Sequence, residues 1–249
     1  MTPTARRRVE AELRQWTSAW NKNPRPFVWS KTDDEILDTL AAYCCPVRLS
    51  AGRARLKRVA KTQYLVAASI DGFIADSDNS LGWLFRAEAL STKDVNAARE
   101  HRYRQFFGDV GAMALGAGTY EWAVDAMNLL AQPETWHKYY EDVPTWVFTH
   151  RELPVIPGTT ISFVSGDIRP VYEKMTAAAG GRNLWVMGGG DLAGQFADLG
   201  LLDDFILTVA PVTLGAGAPL LPRRLTAAQL TLTDCSQVGT FALLTYTLA

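Results

Sequence analysis

The sequence predicts an α/β domain: a mixed, mostly parallel sheet with helices on both faces and a C-terminal antiparallel hairpin, preceded by a short helical N-terminal extension. Three observations predict it. From Gln63 onward, short apolar runs of strand length alternate with segments of helical spacing. One apolar run ends in Gly188-Gly189-Gly190 and opens directly onto a helix-like segment. The last two apolar runs are separated only by Gln237-Val238-Gly239, a hairpin connection.

The elements follow in order. Residues 5–20 read as a charged helix, with Val9, Leu13, Trp16 and Trp20 at near-helical spacing. Asn23-Pro24-Arg25-Pro26 breaks it. A second helix starts at Thr32, with Glu35 completing a capping box, and Ile36, Leu37, Leu40 and Tyr43 form its apolar face. Residues 1–45 form the extension, and 46–61 have no clear period and read as a basic linker. The domain proper spans 62–249. Its first strand is Tyr64–Ile70, closed by the Asp71-Gly72 turn, and a polar loop, Asp76–Gly82, leads to Trp83. A helix covers Asp94–Phe107. A buried strand, Ala112–Leu115, runs into Gly116-Ala117-Gly118, and Thr119 is placed to cap a helix from Tyr120. Thr145–Thr149 and Thr160–Val164 are strands. Ile168–Ala179 is a helix with Pro170 in its first turn, where proline is tolerated. Asn183–Met187 is a strand, the glycine turn follows, and Leu192–Asp198 is helical. Asp204–Val209, Gln229–Ser236 and Phe241–Leu248 complete the strands.

Charge divides the chain. Residues 1–61 hold 13 Lys/Arg against 6 Asp/Glu, whereas 62–249 hold 12 against 20. Two regions with different partners would give that split. The three cysteines, Cys44, Cys45 and Cys235, offer no disulfide framework and no metal-ligand spacing, so a reducing compartment and no metal site are expected. Arg6-Arg7-Arg8 is followed by Val9-Glu10-Ala11-Glu12 rather than an apolar run, and no stretch has membrane-spanning length. The expectation is a soluble, cytoplasmic protein with no membrane partner.

The glycine turn carries the most chemistry. Glycines allow a tight turn and let a ligand approach the main chain, and the free N–H groups at the start of the next helix favour a phosphate. Gly188, Gly190 and Ala193 also satisfy G-x-G-x-x-A. A Rossmann domain would place that pattern near its start, whereas here mostly strands follow it to the C-terminus. The bland alternative is a sharp strand–helix turn without a ligand.

The order of motifs resembles a known family. Tyr64-Leu-Val-Ala-Ala-Ser-Ile-Asp-Gly-Phe-Ile-Ala-Asp resembles the first strand of the reductase domain of the bacterial bifunctional riboflavin deaminase–reductases. Leu81-Gly82-Trp83 is similar to the end of the mobile loop of dihydrofolate reductases and their relatives. Leu115-Gly116-Ala117-Gly118-Thr119-Tyr120-Glu121 resembles their cofactor-side strand and turn, and Val186–Ala193 resembles their glycine turn. Leu202–Ile206 and Pro211–Gly215 are similar to the strand and loop that follow.

The resemblance implies a dihydrofolate-reductase-like fold that binds NADPH, or NADH, and transfers hydride to a small heterocyclic, imine or carbonyl substrate. A reaction like that of 5-amino-6-(5-phosphoribosylamino)uracil reductase is one such case. By position, Ala68 and Ile74 would flank the nicotinamide and Trp83 would cover it. Gly116 and Thr119 would meet the cofactor's phosphate or ribose, and Gly188, Gly189, Gly190, Asp191 and Leu192 would hold the pyrophosphate. Thr149, His150 and Arg151 would lie at the adenosine end. Asp71 and Trp83 are the candidates for lining the reacting centre, and no catalytic residue is assigned. A homodimer is also implied.

There are departures. Ala117 stands where many members have an arginine for the 2′-phosphate, with Arg151 or His150 as substitutes for its charge. Met187 stands where the riboflavin enzymes often have a substrate-contacting Glu. No H-x-E with P-C-x-x-C occurs, so the zinc deaminase half is absent. Residues 1–45 resemble the C-terminal tail of mariner-like insertion-sequence transposases. The alternative function is therefore a decayed reductase fold serving as a binding protein, with a basic arm that contacts nucleic acid. Nucleic acid is the weaker expectation, because the linker has no aromatic interleaving.

Overall fold

The computed structural model of the chain describes residues 60–249. The expected helical extension, and the basic linker as far as residue 59, lie outside the described residues.

Ten strands and six helices follow in chain order: β1 (Thr62–Ala68), β2 (Phe73–Ala75), α1 (Gly82–Ala89), α2 (Lys93–Gly108), β3 (Val110–Gly116), α3 (Ala117–Ala126), α4 (Glu134–Tyr140), β4 (Thr145–Phe148), β5 (Ile161–Val164), α5 (Ile168–Ala179), β6 (Asn183–Gly188), α6 (Gly190–Asp198), β7 (Asp204–Val209), β8 (Ala218–Pro219), β9 (Leu230–Val238) and β10 (Phe241–Leu248). Eight of these strands form one sheet in the order β5-β4-β3-β6-β1-β7-β10-β9. Pairing is parallel from β5 to β7. The β10 strand pairs antiparallel with both β7 and β9. This is the predicted mixed sheet with its closing hairpin. The hairpin turn is Gly239-Thr240, because Gln237 and Val238 belong to β9.

Both faces of the central strands are covered, which is why those strands read as continuous apolar runs. Successive side chains point to opposite faces. Ala112, Ala114, Leu184 and Val186 pack on one side with Val171, Met175, Leu192 and Phe196 of α5 and α6. Met113, Leu115 and Trp185 pack on the other with Phe107, Tyr120, Val124 and Trp136 of α2, α3 and α4. The α5 helix shows how local sequence sets an element. Ile168, Val171, Met175 and Ala179 make one buried stripe, Asp167 accepts from Arg169 N at its start, and Gly180 ends it in the left-handed region.

Three features differ from the expectations. Thr119 lies inside α3, whose N-cap is Gly116 without a side-chain cap. The segment carrying Trp83 is helix α1 rather than a loop end. The two-stranded ribbon of β2 and β8 also had no sequence signal.

Candidate functional site

The sheet order has one switch point on its parallel side. From β3 the chain crosses outward to β4 through α3, on the face of α2 and α4. From the adjacent β6 it crosses the opposite way to β7 through α6, on the other face. The two connections diverge and leave a crevice at the carboxyl ends of β3 and β6, where α/β sheets ordinarily hold ligands.

A cleft of about 270 Å³ opens there. Gly116, Ala117 and Gly189 line it between the strand ends, Asp191, Leu192 and Gln195 line it from α6, and Phe148, Thr149, His150, Ser165 and Gly166 extend it over β4 and β5. The glycines do different jobs. Gly189 sits at φ 88°, a conformation that favours glycine, and a Cβ there would make ordinary contact with Leu192 Cβ at 3.6 Å and Gly116 Cα at 3.8 Å. A Cβ on Gly116 would likewise lie 3.7 Å from the nearest atom, the Gly188 carbonyl. Gly188 instead packs on Thr119, whose Oγ1 would lie 2.6 Å from an added Cβ. Gly190 lies against the carbonyl oxygens of Pro219 and Leu220, so its bareness serves close packing with β8. The N-terminus of α6 opens at Gly189 with no side-chain cap, which leaves its N–H groups for a ligand.

Charge around the cleft is arranged by three pairs. The Asp191 carboxylate accepts from Gln195 Nε2 at 2.8 Å and from Arg223 Nη2 at 3.0 Å. Gln195 and then Arg223 hold its carboxyl below the usual range. Arg223 also binds Asp198 at 2.7 Å. Arg151, expected at the adenosine end, meets Glu121 of α3 at 2.7 Å. Thr149 Oγ1 accepts from Arg151 N at 2.9 Å and shapes that turn. His150 is exposed beside it.

The remaining expected positions lie toward β1 and β7. Ala68 is fully buried at the end of β1 and half-buried Ile74 packs on the same core cluster. Trp83 is 5% exposed and sits with Ala87, Ala210 and Phe241 in a separate cluster. Its Nε1 is buried without a hydrogen-bond partner. Ala210 N donates to Ala68 O, so the Trp83 cluster abuts the end of β1. Asp71 is exposed and points to the loop after β7. It accepts from Ser69 Oγ at 2.6 Å, Gly215 N at 2.6 Å and Leu214 N at 3.0 Å. Ser69 first, then Gly215, lower its pKa to about 2. A carboxylate so held is ionised at neutral pH and pins a loop.

The structure thus gathers Gly116, Thr149, His150, Gly189, Asp191 and Leu192 around one cleft. Ala68, Ile74, Trp83 and Asp71 stand on the β1–β7 side, and Gly188, Gly190 and Thr119 support the floor. Sequence reasoning missed Gln195, Ser165 and Gly166 of the lining, and it missed that Glu121 engages Arg151 and that Asp191 and Asp198 share Arg223. Only spacing along α6 could have found Gln195, four residues after Asp191.

Comparison with known proteins agrees with this architecture. Residues 132–244 match the family model of the RibD C-terminal domain. An uncharacterised Bacillus subtilis protein, YwjB, is 29% identical over 179 residues, covering 72% of this chain and 92% of its own. Riboflavin biosynthesis protein RibD of Corynebacterium ammoniagenes is 29% identical over 174 residues, and the match spans 45% of that longer protein. Among solved structures, a protein provisionally assigned to riboflavin biosynthesis from Shewanella sp. PV-4 superposes with a TM-score of 0.56 at 20% identity, covering 76% of this chain and 99% of that one. Sequence over residues 132–244 and fold over the described domain therefore agree: this chain resembles the C-terminal domain of RibD.

Proposed function

We propose that this protein is a pyridine-nucleotide-dependent reductase that transfers hydride to a small heterocyclic, imine or carbonyl substrate, related to the 5-amino-6-(5-phosphoribosylamino)uracil reduction of riboflavin biosynthesis. One observation carries the reading: the switch-point cleft is lined by two glycines, Gly116 and Gly189, packed against each other at an uncapped helix start, so that main chain rather than side chain forms a cradle there. A pyrophosphate suits that cradle, because a helix start without a side-chain cap favours an anion. The resemblance implies NADPH, with NADH the other form of the same ligand.

A bound reduced nicotinamide supplies the hydride. The chain's own residues then bind and orient. Gly189 and the first turn of α6 hold the pyrophosphate. Thr149, Ser165 and Gln195 offer neutral partners toward the adenosine side. The buried ends of β1 and β7, at Ala68 and Ala210, form the dry wall toward the reacting ring. Asp71 keeps the loop after β7 closed over that end rather than delivering a proton. A homodimer belongs to the same reading, and light scattering that gives the mass of one chain would remove it.

Calorimetric titration with NADH and NADPH tests the function. Binding of at least one in the micromolar range is expected. Gly116→Asp should abolish it, because a carboxylate would enter the cradle while the Cβ stays in ordinary contact and the backbone stays extended, at φ −79°. An unchanged melting temperature checks that the variant is folded. No binding of either nucleotide at millimolar concentration rejects the reading.

A further inference from the structure

We propose that the cleft selects the 2′-hydroxyl form of the cofactor, NADH, over the 2′-phosphorylated form, and that Glu121 is the specificity residue that enforces this. The inference rests on the reductase reading and on the adenosine half lying over β4 and β5.

The 2′-phosphate distinguishes the two cofactors by adding close to two negative charges. Sites that favour it meet it with arginine or lysine, usually in a bidentate pair. None of the eleven residues that line the cleft is Lys or Arg. The lining carries an acid instead: Asp191, held in its ionised form by Gln195 and Arg223. The neutral hydrogen-bonding residues Thr149, Ser165 and Gln195 suit ribose hydroxyls.

Among the described residues, Arg223 and Arg151 adjoin residues of the lining, and both are engaged. Arg223 is shared between Asp191 at 3.0 Å and Asp198 at 2.7 Å, which leaves that trio with a net negative charge. Arg151, next to His150 of the lining, is paired with Glu121 at 2.7 Å on the helix that begins at the lining residue Ala117. Both partners of that pair are accessible, and such a pair is worth little in itself. A phosphate could therefore draw Arg151 away, but the Glu121 carboxylate would be left beside the dianion and would oppose it. The pair is neutral toward a hydroxyl and unhelpful to a phosphate. Ala117, on the lining at the start of α3, supplies no charge to offset this.

Calorimetry on the full chain gives the test. Wild type should bind NADH about tenfold or more tighter than NADPH. Glu121→Gln should tighten NADPH by about tenfold and leave NADH within about twofold, because it frees Arg151 without removing a contact to the shared part of the ligand. Ala117→Arg should move the ratio the same way. A wild type that prefers NADPH, or an NADH/NADPH ratio unmoved in Glu121→Gln, overturns the proposal. Binding of neither nucleotide overturns the reductase reading and this inference with it.

Discussion

Asp71 is an exposed acid at the mouth of the β1–β7 side, and its three partners decide its role. Its pKa of about 2 means that it contributes stability above the ordinary carboxylate range, near pH 4. That stability is lost as pH falls from there toward 2, because the folded-state proton affinity lies below the unfolded one. Asp71→Asn should lower the melting temperature at pH 7 and flatten its acid dependence between about pH 4 and 2. An identical acid profile in both proteins would show that Asp71 does not pin the loop. Trp83 gives the second prediction at this scale. Its unpaired buried Nε1 costs about 1–3 kcal/mol unless a ligand satisfies it. Trp83→Phe should therefore leave thermal stability of the free protein equal or better, apart from the smaller ring's lost packing. A loss of substrate affinity in the same variant would mean that the indole N–H has a partner in the complex. Asp71-Gly72 was legible in the sequence as a turn. The pinning of Leu214 and Gly215 was not, because those residues lie more than 140 positions away.

At the scale of elements, agreement between sequence and structure followed the strength of the local signal. The α5 helix has a cap, an apolar stripe and a terminal glycine, and its bounds were fully legible. The α1 helix starts at Gly82 without a side-chain cap and buries only Trp83 and Ala87, so it read as a loop. The α4 helix has seven residues, four of them Trp, His or Tyr, too few turns for a period to show. The β2–β8 ribbon pairs Phe73 with Pro219, a contact that no local pattern can announce. The glycine turn divides into two element-scale tasks with different consequences. Gly190→Ala should destabilise the domain by about 1–3 kcal/mol, since its methyl would enter the carbonyls of Pro219 and Leu220. Chemical denaturation measures this. A loss below a few tenths of a kcal/mol would mean that α6 and β8 separate readily.

For the whole molecule, the point of entry into the domain is well anchored. Lys61 Nζ lies 2.9 Å from Asp204, a nearly buried acid, and Lys61 N donates to Asn183 Oδ1 at 3.0 Å. All three core clusters are built from residues after this point. A chain starting at Ala60 should fold and keep nucleotide binding, whereas one starting at Gln63 should be less stable, because Asp204 loses its Lys61 partner and keeps only Gln63 and Thr247. Denaturation and calorimetry on both check this. If the Ala60 chain loses nucleotide binding, residues 1–59 take part in the site. The same truncation separates the basic arm's charge from the domain: salt-dependent DNA binding lost with it would assign nucleic-acid contact to residues 1–59.

The sequence by itself determined the alternation of strands and helices, the closing hairpin and the glycine turn. Each of these is set by neighbours along the chain: a period of two, a period near 3.6, or a residue with no side chain. Only the tertiary structure decided that β3 lies beside β6, so that Gly116 packs against Gly189 in the lining of one cleft. It also decided that the Arg151 charge is already met by Glu121. The physical reason is the same in both cases. Strand adjacency and ion pairing depend on which distant groups share a neighbourhood, and that follows from how the two faces of the sheet bury their side chains rather than from any local pattern.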